Sequence, residues 1–198
     1  MTDPRLAGTR GVTGTVRQAL EAGVRAVQLR DKTAADSEFL AQALELRALC
    51  ARHGALFIVN DRVNIAQACS AHGVHLGQDD MGSAEARRIL GPEAVIGVSV
   101  RTVEEAMAAE RAGADYVAAN MIFATATKTD LPGPLGLQAV RELKAAVGIP
   151  LVAIGGVTPE NAAVVLAAGA DGLAVVSALM SSPDLPGDVA YFLNLLSH

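Results

Sequence analysis

Short aliphatic runs recur along the chain, and each of them follows a glycine that closes a helix-like stretch. Gly23, Gly54 and Gly73 precede three of these runs, and the similar tetrapeptides Ala112-Gly113-Ala114-Asp115 and Ala168-Gly169-Ala170-Asp171 precede two more. Glycine suits the left-handed position that ends a helix, and continuous Val, Ile and Leu runs suit strands buried on both faces of a parallel sheet. The pattern therefore predicts strands that alternate with helices.

Seven strands are predicted, near residues 26, 56, 74, 95, 116, 150 and 173. Helices are predicted to begin after Thr102, where Glu105 completes a capping box, and after Thr158, where Pro159 suits the first turn. Alternation without a linker predicts one domain over residues 1–198, an α/β fold of the (β/α)8 TIM barrel type. A doubly wound open sheet is the alternative.

The first strand of such a barrel is truncated in this sequence, since only Met1-Thr2-Asp3 and a loop precede the first predicted helix. A missing strand would leave backbone N–H and C=O groups of its neighbours unpaired. We expect either that the native chain begins upstream of Met1, or that Met1-Thr2-Asp3 and a partner chain cover the gap.

The composition narrows the class of protein. Apolar residues make up 51% of the chain and aromatic residues only 3%, so the core is expected to consist of Ala, Val, Leu and Ile. A net charge of −5 argues against a nucleic-acid surface. The sequence shows no signal segment or membrane-length run, and Cys50 and Cys69 are too few for a disulfide framework. We expect a cytoplasmic protein that binds small molecules, with Cys50 in the core and self-association into a homo-oligomer left open.

Polar residues concentrate after the carboxyl ends of the predicted strands, whereas the amino ends offer mainly Gly and Ala. The positions are Arg30, Lys32, Asn60, Asp61, Gln78, Asp80, Ser99, Thr125, Thr127, Lys128, Gly155, Gly156 and Ser177. In barrels of this type the active site forms on the carboxyl-terminal face. The asymmetry therefore favours an enzyme.

Two acidic residues follow consecutive predicted strands. Asp61 comes after the run that ends at Val59, and Asp80 comes after the run that ends at Leu76. A pair of carboxylates with open positions suits Mg²⁺ bound to a phosphorylated substrate. The alternative is that each Asp caps the helix that follows it.

Two further sets of residues predict anion binding. The cations Arg30, Lys32 and Lys128, combined with the carboxylate pair, are typical of a pyrophosphate clamp. Gly155-Gly156 and Val176-Ser177 follow the last two predicted strands and can offer backbone N–H groups to a second anion. The sequence thus predicts one metal-assisted anion site and one built from backbone.

Seven segments occur in a characteristic order, namely Gln28-Leu29-Arg30-Asp31-Lys32, Asn60-Asp61-Arg62, Gly73 to Asp80, Gly97-Val98-Ser99, Thr125-Ala126-Thr127-Lys128, Ala153 to Val157 and Gly172 to Ala178. This set resembles the thiamine-phosphate synthase (thiamine-phosphate pyrophosphorylase) family, and the resemblance covers the chain from Thr2 onward. It implies a transferase that joins an aminopyrimidine methyl pyrophosphate to a thiazole ethyl phosphate. The products would be thiamine phosphate and pyrophosphate.

The resemblance also implies roles for the residues that match its motifs. The pyrimidine diphosphate is expected at Gln28, Leu29, Arg30, Asp31, Lys32, Asn60, Ser99 and Lys128. Mg²⁺ is expected on Asp61 and Asp80, and the thiazole phosphate at Thr125, Ala126, Thr127, Gly156, Val176 and Ser177. Arg30, Lys32, Ser99 and Lys128 are expected to be catalytic. Pyrophosphate is expected to depart before the thiazole nitrogen attacks the pyrimidinylmethyl cation, a step that needs charge neutralisation and no nucleophile–base pair.

The chain departs from the family pattern at several positions. Asn120-Met121 stands where the family usually has Gly-Pro, and Ala124 and Ala126 stand where it has prolines, so the thiazole pocket is expected to differ in shape. Arg101 stands where a histidine is common, and we expect it either to help hold pyrophosphate or to face solvent. His75 is expected to be a hydrogen-bonded residue of the core or a support for the site.

Three other functions compete with this one. A thiazole tautomerase shares the barrel and the phosphate site, but it has no use for the carboxylate pair and the Thr125–Lys128 segment. A phosphosugar-handling barrel explains Gly156 and Ser177 but not Asp61 together with Asp80. A non-catalytic phosphate-ligand sensor would bind its ligand without releasing pyrophosphate.

Overall fold

The computed structural model describes residues 1–125 and 133–197, in which seven strands alternate with helices. The strands are β1 (Ala26–Leu29), β2 (Leu56–Asn60), β3 (Gly73–Leu76), β4 (Val95–Val100), β5 (Tyr116–Asn120), β6 (Leu151–Ile154) and β7 (Gly172–Ala174). The helices are α1 (Gly11–Glu21), α2 (Asp36–Arg52), α3 (Val63–Ala68), α4 (Ser83–Leu90), α5 (Val103–Arg111), α6 (Gly136–Ala146), α7 (Pro159–Ala167), α8 (Ser177–Met180) and α9 (Leu185–Leu196). All seven strands lie where the sequence predicts them.

The strands form one parallel sheet in which every strand pairs with its neighbours in sequence, from β1 to β7. A doubly wound sheet would reverse its strand order part-way across, so that alternative is wrong. The uninterrupted order is that of a (β/α)8-type barrel, and the predicted fold with its truncated first strand is confirmed. The predicted caps also form: Thr102 accepts a hydrogen bond from the Glu105 N–H, and α7 begins at Pro159 after Thr158.

The first three residues lie between the two edge strands of the sheet. The backbone nitrogen of Met1 lies 3.0 Å from the carbonyl oxygen of Val175, just after β7. Thr2 donates its N–H to the carbonyl oxygen of Gln28 at 2.9 Å, and its hydroxyl bonds both the N–H and the carbonyl of Arg30. These residues therefore occupy the gap left by the truncated strand, as expected, and the contribution of a partner chain stays a prediction.

Strand residues alternate between a helix-facing side and a barrel interior. The helix-facing side chains are aliphatic or aromatic and pack in two clusters, one on β1 to β3 with α1 and α2 and one on β4 to β6 with α5 and α6. The alternate positions point inward. The polar residues among them are Gln28, Asn60, His75, Ser99 and Asn120. The barrel interior therefore carries the hydrogen-bonding side chains.

The burial of Cys50 and the lengths of the apolar helices bear on two further expectations. Cys50 is fully buried in the cluster around α2, which confirms its predicted place in the core. Within residues 1–125 and 133–197, no helix is long and apolar enough to cross a lipid bilayer.

Candidate active site

Asp61 and Asp80 lie side by side at the carboxyl-terminal edge of the sheet. Asp61 directly follows β2 in a left-handed backbone conformation with φ of 62°, and its N–H donates to the carbonyl of His75 at 2.9 Å. Asp80 lies in the turn after β3, where its Oδ2 accepts the Gly77 N–H at 2.7 Å. The two carboxyl groups are within hydrogen-bonding reach of each other. The predicted meeting of these two residues is therefore observed.

Neither carboxylate caps a helix. α3 has Arg62 at its N-cap position and α4 has Gly82, and no side-chain cap bond forms at either place. The cap alternative is therefore wrong for both residues. Asp61 lies one residue before the N-cap position of α3, and Asp80 lies two residues before that of α4.

The electrostatics of the pair favour a bound cation. Burial raises the pKa of Asp80 above its ordinary value of 3.8, and the Asp61 carboxylate raises it further, while the Gly77 N–H and the Lys32 ammonium act in the opposite direction. Lys32 Nζ lies 2.7 Å from Asp61 Oδ2. Among the described residues no group of three or more His, Cys, Asp or Glu side chains could hold a metal. Two carboxylates with open positions fit Mg²⁺, which keeps several waters or substrate oxygens.

The loop between β1 and α2 presents the predicted cations on the same edge. Arg30 is half-buried on the inward side, and Lys32 is largely exposed. Asp31 is turned into the loop, where its Oδ1 accepts the N–H and the hydroxyl of Thr33 and the N–H of Ala34. Burial alone would raise the pKa of Asp31, but these hydrogen bonds outweigh it and lower the pKa below 3.8. The Asp31 carboxylate thus shapes the loop that carries Lys32.

Leu29 is the predicted ligand-contacting residue whose side chain the structure places elsewhere. It is fully buried in the helix-facing cluster on β1, because neighbouring strand residues point to opposite sides. Gln28 precedes it and points inward. Only the backbone of Leu29 is left for contact with a ligand at this edge.

Arg62 fastens the loop after β1 to the turn after β2. Its Nη2 donates to the carbonyls of Ala34 at 2.8 Å and Asp31 at 3.3 Å, and its Nη1 lies 2.9 Å from Asp36 Oδ1. The guanidinium also lies 4.3 Å from the centre of the Phe39 ring. Sequence reasoning included this residue in a motif and assigned it no role.

His75 links Ser99 to a buried tyrosine. Its Nε2 lies 2.9 Å from Ser99 Oγ, and its Nδ1 lies 2.9 Å from Tyr116 Oη. Burial raises the pKa of the Tyr116 hydroxyl well above its ordinary value, so the phenol stays protonated. Gln78 donates to the Ser99 carbonyl at 2.6 Å. His75 therefore orients Ser99 through a hydrogen bond, which confirms the prediction that it is a hydrogen-bonded support for the site.

Glycine is required at residue 97 for this network to form. A Cβ there would lie 2.0 Å from the ring of Tyr116, a separation that real atoms do not adopt. The absence of a side chain lets the tyrosine ring cross from β5 and reach His75. The same sequence motif that contributes Ser99 thus also makes room for its support.

Two inward amide oxygens are buried without a hydrogen-bond partner in the described part of the chain, Gln28 Oε1 and Asn120 Oδ1. Leaving such an oxygen unpaired costs about 1–3 kcal/mol. Asn120, at the end of β5, is only 5% exposed. Gln28 is among the residues expected at the pyrimidine diphosphate, and Asn120 could have been singled out as well, because it is a polar residue on the inward side of its strand. Each oxygen is available to a donor on a ligand.

The second predicted anion site is a narrow cavity beside β6 and β7. Thr125, Gly156, Val176 and Ser177 all line it, and so does Asn120. Within the described residues, the backbone N–H groups of Gly156, Val176 and Ser177 make no hydrogen bond. A Cβ at residue 156, where φ is +66°, would lie 2.7 Å from Phe123 Cβ, so the close approach of these loops requires glycine. Ala126, Thr127 and Lys128 lie outside the described residues.

Arg101 holds the segment that follows β5. Its Nη1 donates to the carbonyl of Asn120 at 2.7 Å and its Nη2 to the carbonyl of Gly133 at 2.9 Å. The expectation that Arg101 faces solvent is wrong, because the fork of the guanidinium suits two carbonyls on opposite sides of one segment. Its proposed contact with pyrophosphate stays a prediction.

Comparison with known proteins identifies the family of this chain. A family model described as thiamine monophosphate synthase matches residues 1–179. The chain belongs to the thiamine monophosphate synthase family. It is a transferase of thiamine biosynthesis, and the resemblance that its motifs predict is confirmed.

Individual relatives in this family agree. The chain is 50% identical over 184 residues to the thiamine-phosphate synthase of Albidiferax ferrireducens, which covers 93% of this chain and 84% of the relative. It is 47% identical over 181 residues to that of Moorella thermoacetica, covering 91% and 86%. The solved structure of thiamine phosphate pyrophosphorylase from Pyrococcus furiosus superposes with a TM-score of 0.89 at 40% identity, covering 99% of this chain and 93% of that one.

Proposed function

We propose that this chain couples 4-amino-2-methyl-5-pyrimidinylmethyl diphosphate with a thiazole ethyl phosphate, with or without a ring carboxylate, to give thiamine phosphate and pyrophosphate. The bond between the pyrimidinylmethyl carbon and the diphosphate oxygen breaks, and a bond from that carbon to the thiazole nitrogen forms. A ring carboxylate, where present, leaves as CO₂. The observation that carries the proposal is the contact of Lys32 with Asp61 beside Asp80 in a chain of this family.

Asp61 and Asp80 would hold Mg²⁺ in this proposal. The ion supplies positive charge to the departing diphosphate. The raised pKa of Asp80 supports this assignment, because burial and the adjacent Asp61 carboxylate both disfavour its charged form until a cation or a proton compensates it. The two residues leave the remaining coordination positions to water and to oxygens of the diphosphate.

Arg30, Lys32 and Lys128 would neutralise the diphosphate together with the metal. Lys32 reaches Asp61 at 2.7 Å, which supports its placement within reach of an anion bound at the carboxylate pair. Asn60 and Ser99 would add hydrogen bonds to the diphosphate, and Ser99 is oriented by His75. Neutralising the leaving group lowers the barrier to its departure, and the loss of one such contact costs about 3 kcal/mol, or roughly a hundredfold in rate.

The unpaired oxygen of Gln28 supports an interaction with the pyrimidine ring. The ring amino group is an N–H donor, and Gln28 Oε1 is a buried acceptor that has no partner in the described residues. A hydrogen bond between them would orient the ring and favour electron donation from the amino nitrogen. That donation stabilises the pyrimidinylmethyl cation left when the diphosphate departs.

The cavity beside β6 and β7 would hold the phosphate of the thiazole substrate. The N–H groups of Gly156, Val176 and Ser177, which make no hydrogen bond within the described residues, support this role. Thr125 and Ser177 line the same cavity, and Ala126 and Thr127 follow Thr125 in sequence. A phosphate fixed there would place the thiazole nitrogen for attack, and proximity of this kind needs no general base.

The remaining assignments concern the chain as a whole. We propose that residues 1–198 act as one catalytic domain in the cytoplasm, on small phosphorylated molecules and without nucleic acid. Cys50 and Cys69 are both free and buried, which supports a compartment in which thiols stay reduced. Self-association into a homo-oligomer is proposed as well, and light scattering on the purified protein measures it directly.

The proposal is tested by pyrophosphate release from purified protein with both substrates and Mg²⁺, repeated with EDTA and with Asp61→Ala. We expect metal-dependent release of pyrophosphate together with thiamine phosphate, and a loss of about a hundredfold or more in the variant. Release that continues in EDTA would remove the metal from the proposal. Tight binding of either substrate without any release would instead support a sensor.

A further inference from the structure

We propose that Arg62 is a positioning residue, which sets the place of Lys32 relative to Asp61 and thereby the affinity of the site for the diphosphate substrate. The inference rests on the proposed roles of Lys32 and Asp61. It assigns Arg62 no contact with substrate. The single guanidinium of Arg62 contacts the loop that carries Lys32 at several points.

The loop between β1 and α2 is held by Arg62 on both sides of Lys32. The carbonyl of Asp31 precedes Lys32, the carbonyl of Ala34 follows it, and Arg62 Nη2 donates to both, at 3.3 and 2.8 Å. Arg62 Nη1 also lies 2.9 Å from Asp36 Oδ1 at the start of α2. The backbone position of Lys32 is therefore fixed from outside its own loop.

The same residue is joined directly to Asp61. Asp61 leaves β2 with φ of 62°, a conformation in which few residues other than Gly, Asn and Asp are at ease. Arg62 then bonds the neighbouring loop, so any movement of that loop relative to β2 changes the distance between Lys32 Nζ and Asp61 Oδ2, now 2.7 Å. Arg62 thus couples the two halves of the diphosphate site mechanically.

Lys32 needs such support because nothing buries it. Its side chain is 59% exposed, and the Asp61 carboxylate it contacts is 21% exposed. An exposed ion pair is worth at most a small fraction of the binding free energy and is screened by salt. Other contacts must therefore order the loop if the Lys32 ammonium group is to be in position before the diphosphate binds.

The geometry requires arginine at this position. The guanidinium spans two carbonyls and a carboxylate and lies 4.3 Å above the Phe39 ring. Lysine carries a single ammonium group, and its flexible stem cannot present a planar fork to these partners. Arg62→Lys should therefore keep the positive charge and lose the simultaneous contacts with the two carbonyls and the carboxylate.

The first test is steady-state kinetics of Arg62→Lys and Arg62→Met, with each substrate varied in turn. We expect kcat to fall and the KM for the pyrimidine diphosphate to rise, so that kcat/KM for this substrate falls by about tenfold to a hundredfold, since misplacement by about 1 Å costs up to a hundredfold in rate. The KM for the thiazole phosphate should change by less than about twofold. Equal changes in both KM values, or none in either, would overturn the proposal.

Arg87 provides a matched control at the opposite end of the barrel. It donates to the carbonyls of Pro92, Ala94 and Gly113 and pairs with Asp115 at 2.7 Å. Its side chain is 27% exposed, close to the 22% of Arg62. Arg87→Met should lower the thermal stability by a similar amount and leave both KM values unchanged. A similar rise in KM from Arg87→Met would show that Arg62 acts through stability alone.

A double-mutant cycle with Lys32→Met tests the route of the effect. If Arg62 acts by placing Lys32, the double variant should be no worse than Lys32→Met alone. Effects that multiply would refute the route through Lys32 while leaving the function of Lys32 intact. Near-normal kinetics in Lys32→Met would refute the proposed role of Lys32 itself, and with it the reason for the Arg62 contacts.

Discussion

Asp80→Asn is expected to stabilise the metal-free protein and to remove most of its activity. The asparagine side chain has nearly the shape of aspartate, so its oxygen can still accept the Gly77 N–H, which lies 2.7 Å from Oδ2 in the native protein. Its amide can also donate to Asp61. The substitution removes the partly buried charge and its repulsion with Asp61, which together raise the pKa of Asp80. It also removes one of the two proposed metal ligands.

The magnitudes follow from the exposure of the site. Asp61 is 21% exposed and Asp80 lies in an exposed turn, so solvent screens the repulsion and its removal is worth about 0.5–1 kcal/mol. For a chain of this length that is a rise in Tm of about 1–4 °C. Loss of a metal ligand should reduce turnover by roughly a hundredfold. Stability and activity therefore move in opposite directions.

The pH dependence has a definite sign. Because the pKa of Asp80 is higher in the folded protein than the ordinary 3.8, folding favours its protonated form. The stability of the metal-free native protein should fall as the pH rises from 3.8 through this raised pKa. Well below pH 3.8 the Asp80 carboxyl is protonated in both the folded and the unfolded state, so it no longer makes the stability depend on pH. The advantage of Asp80→Asn should therefore be absent in acid and complete near neutral pH.

The assay is thermal unfolding in EDTA across this pH range, followed by turnover with Mg²⁺. Asp79→Asn is the control, because it removes the same charge from the neighbouring position and leaves the pair untouched. The reasoning is refuted if Asp80→Asn is less stable than the native protein in EDTA at neutral pH. It is refuted equally if the variant keeps full metal-dependent turnover.

Three further substitutions test other parts of the site. Gly97→Ala should displace Tyr116, 2.0 Å from the new Cβ, and lower the free energy of unfolding in urea by about 2–4 kcal/mol; an unchanged urea midpoint would contradict this. Gly156→Ala should raise the KM for the thiazole phosphate, whereas Gly113→Ala, where a Cβ meets nothing within 4 Å, should cost only stability; equal KM values would count against the cavity assignment. Asn120→Ala should leave the Tm unchanged or higher, since it removes an unpaired buried oxygen, and raise the KM for one substrate about fivefold or more; a lower Tm with unchanged kinetics would argue against a ligand-facing role.

Much of the fold could be predicted because its signals are local. Glycines that end helices and aliphatic runs that follow them mark each strand, and the parallel order then brings the strand ends to one edge. Asp61 and Asp80 were predicted to meet on that ground alone. The contacts of Met1 and Thr2 with β7 and β1 were less accessible, since they depend on closure of the whole barrel.

The parts that sequence reasoning missed depend on long side chains that cross between loops. Arg62 and Arg101 each donate to backbone carbonyl oxygens far away in sequence. Because every residue carries a backbone carbonyl, the sequence does not indicate which of them an arginine will contact. The unpaired oxygen of Asn120 is a different case. The alternation of side chains along β5 already indicates that Asn120 points into the barrel. Its lack of a partner could be recognised only once its neighbours were placed.

The most direct test of the central claim is a crystal structure of the protein with Mn²⁺ and pyrophosphate, with anomalous scattering used to locate the metal. The account predicts a metal bonded to both Asp61 and Asp80, with pyrophosphate oxygens in its coordination shell and the Lys32 ammonium on the same pyrophosphate. A metal held elsewhere, or pyrophosphate bound away from this pair, would contradict it.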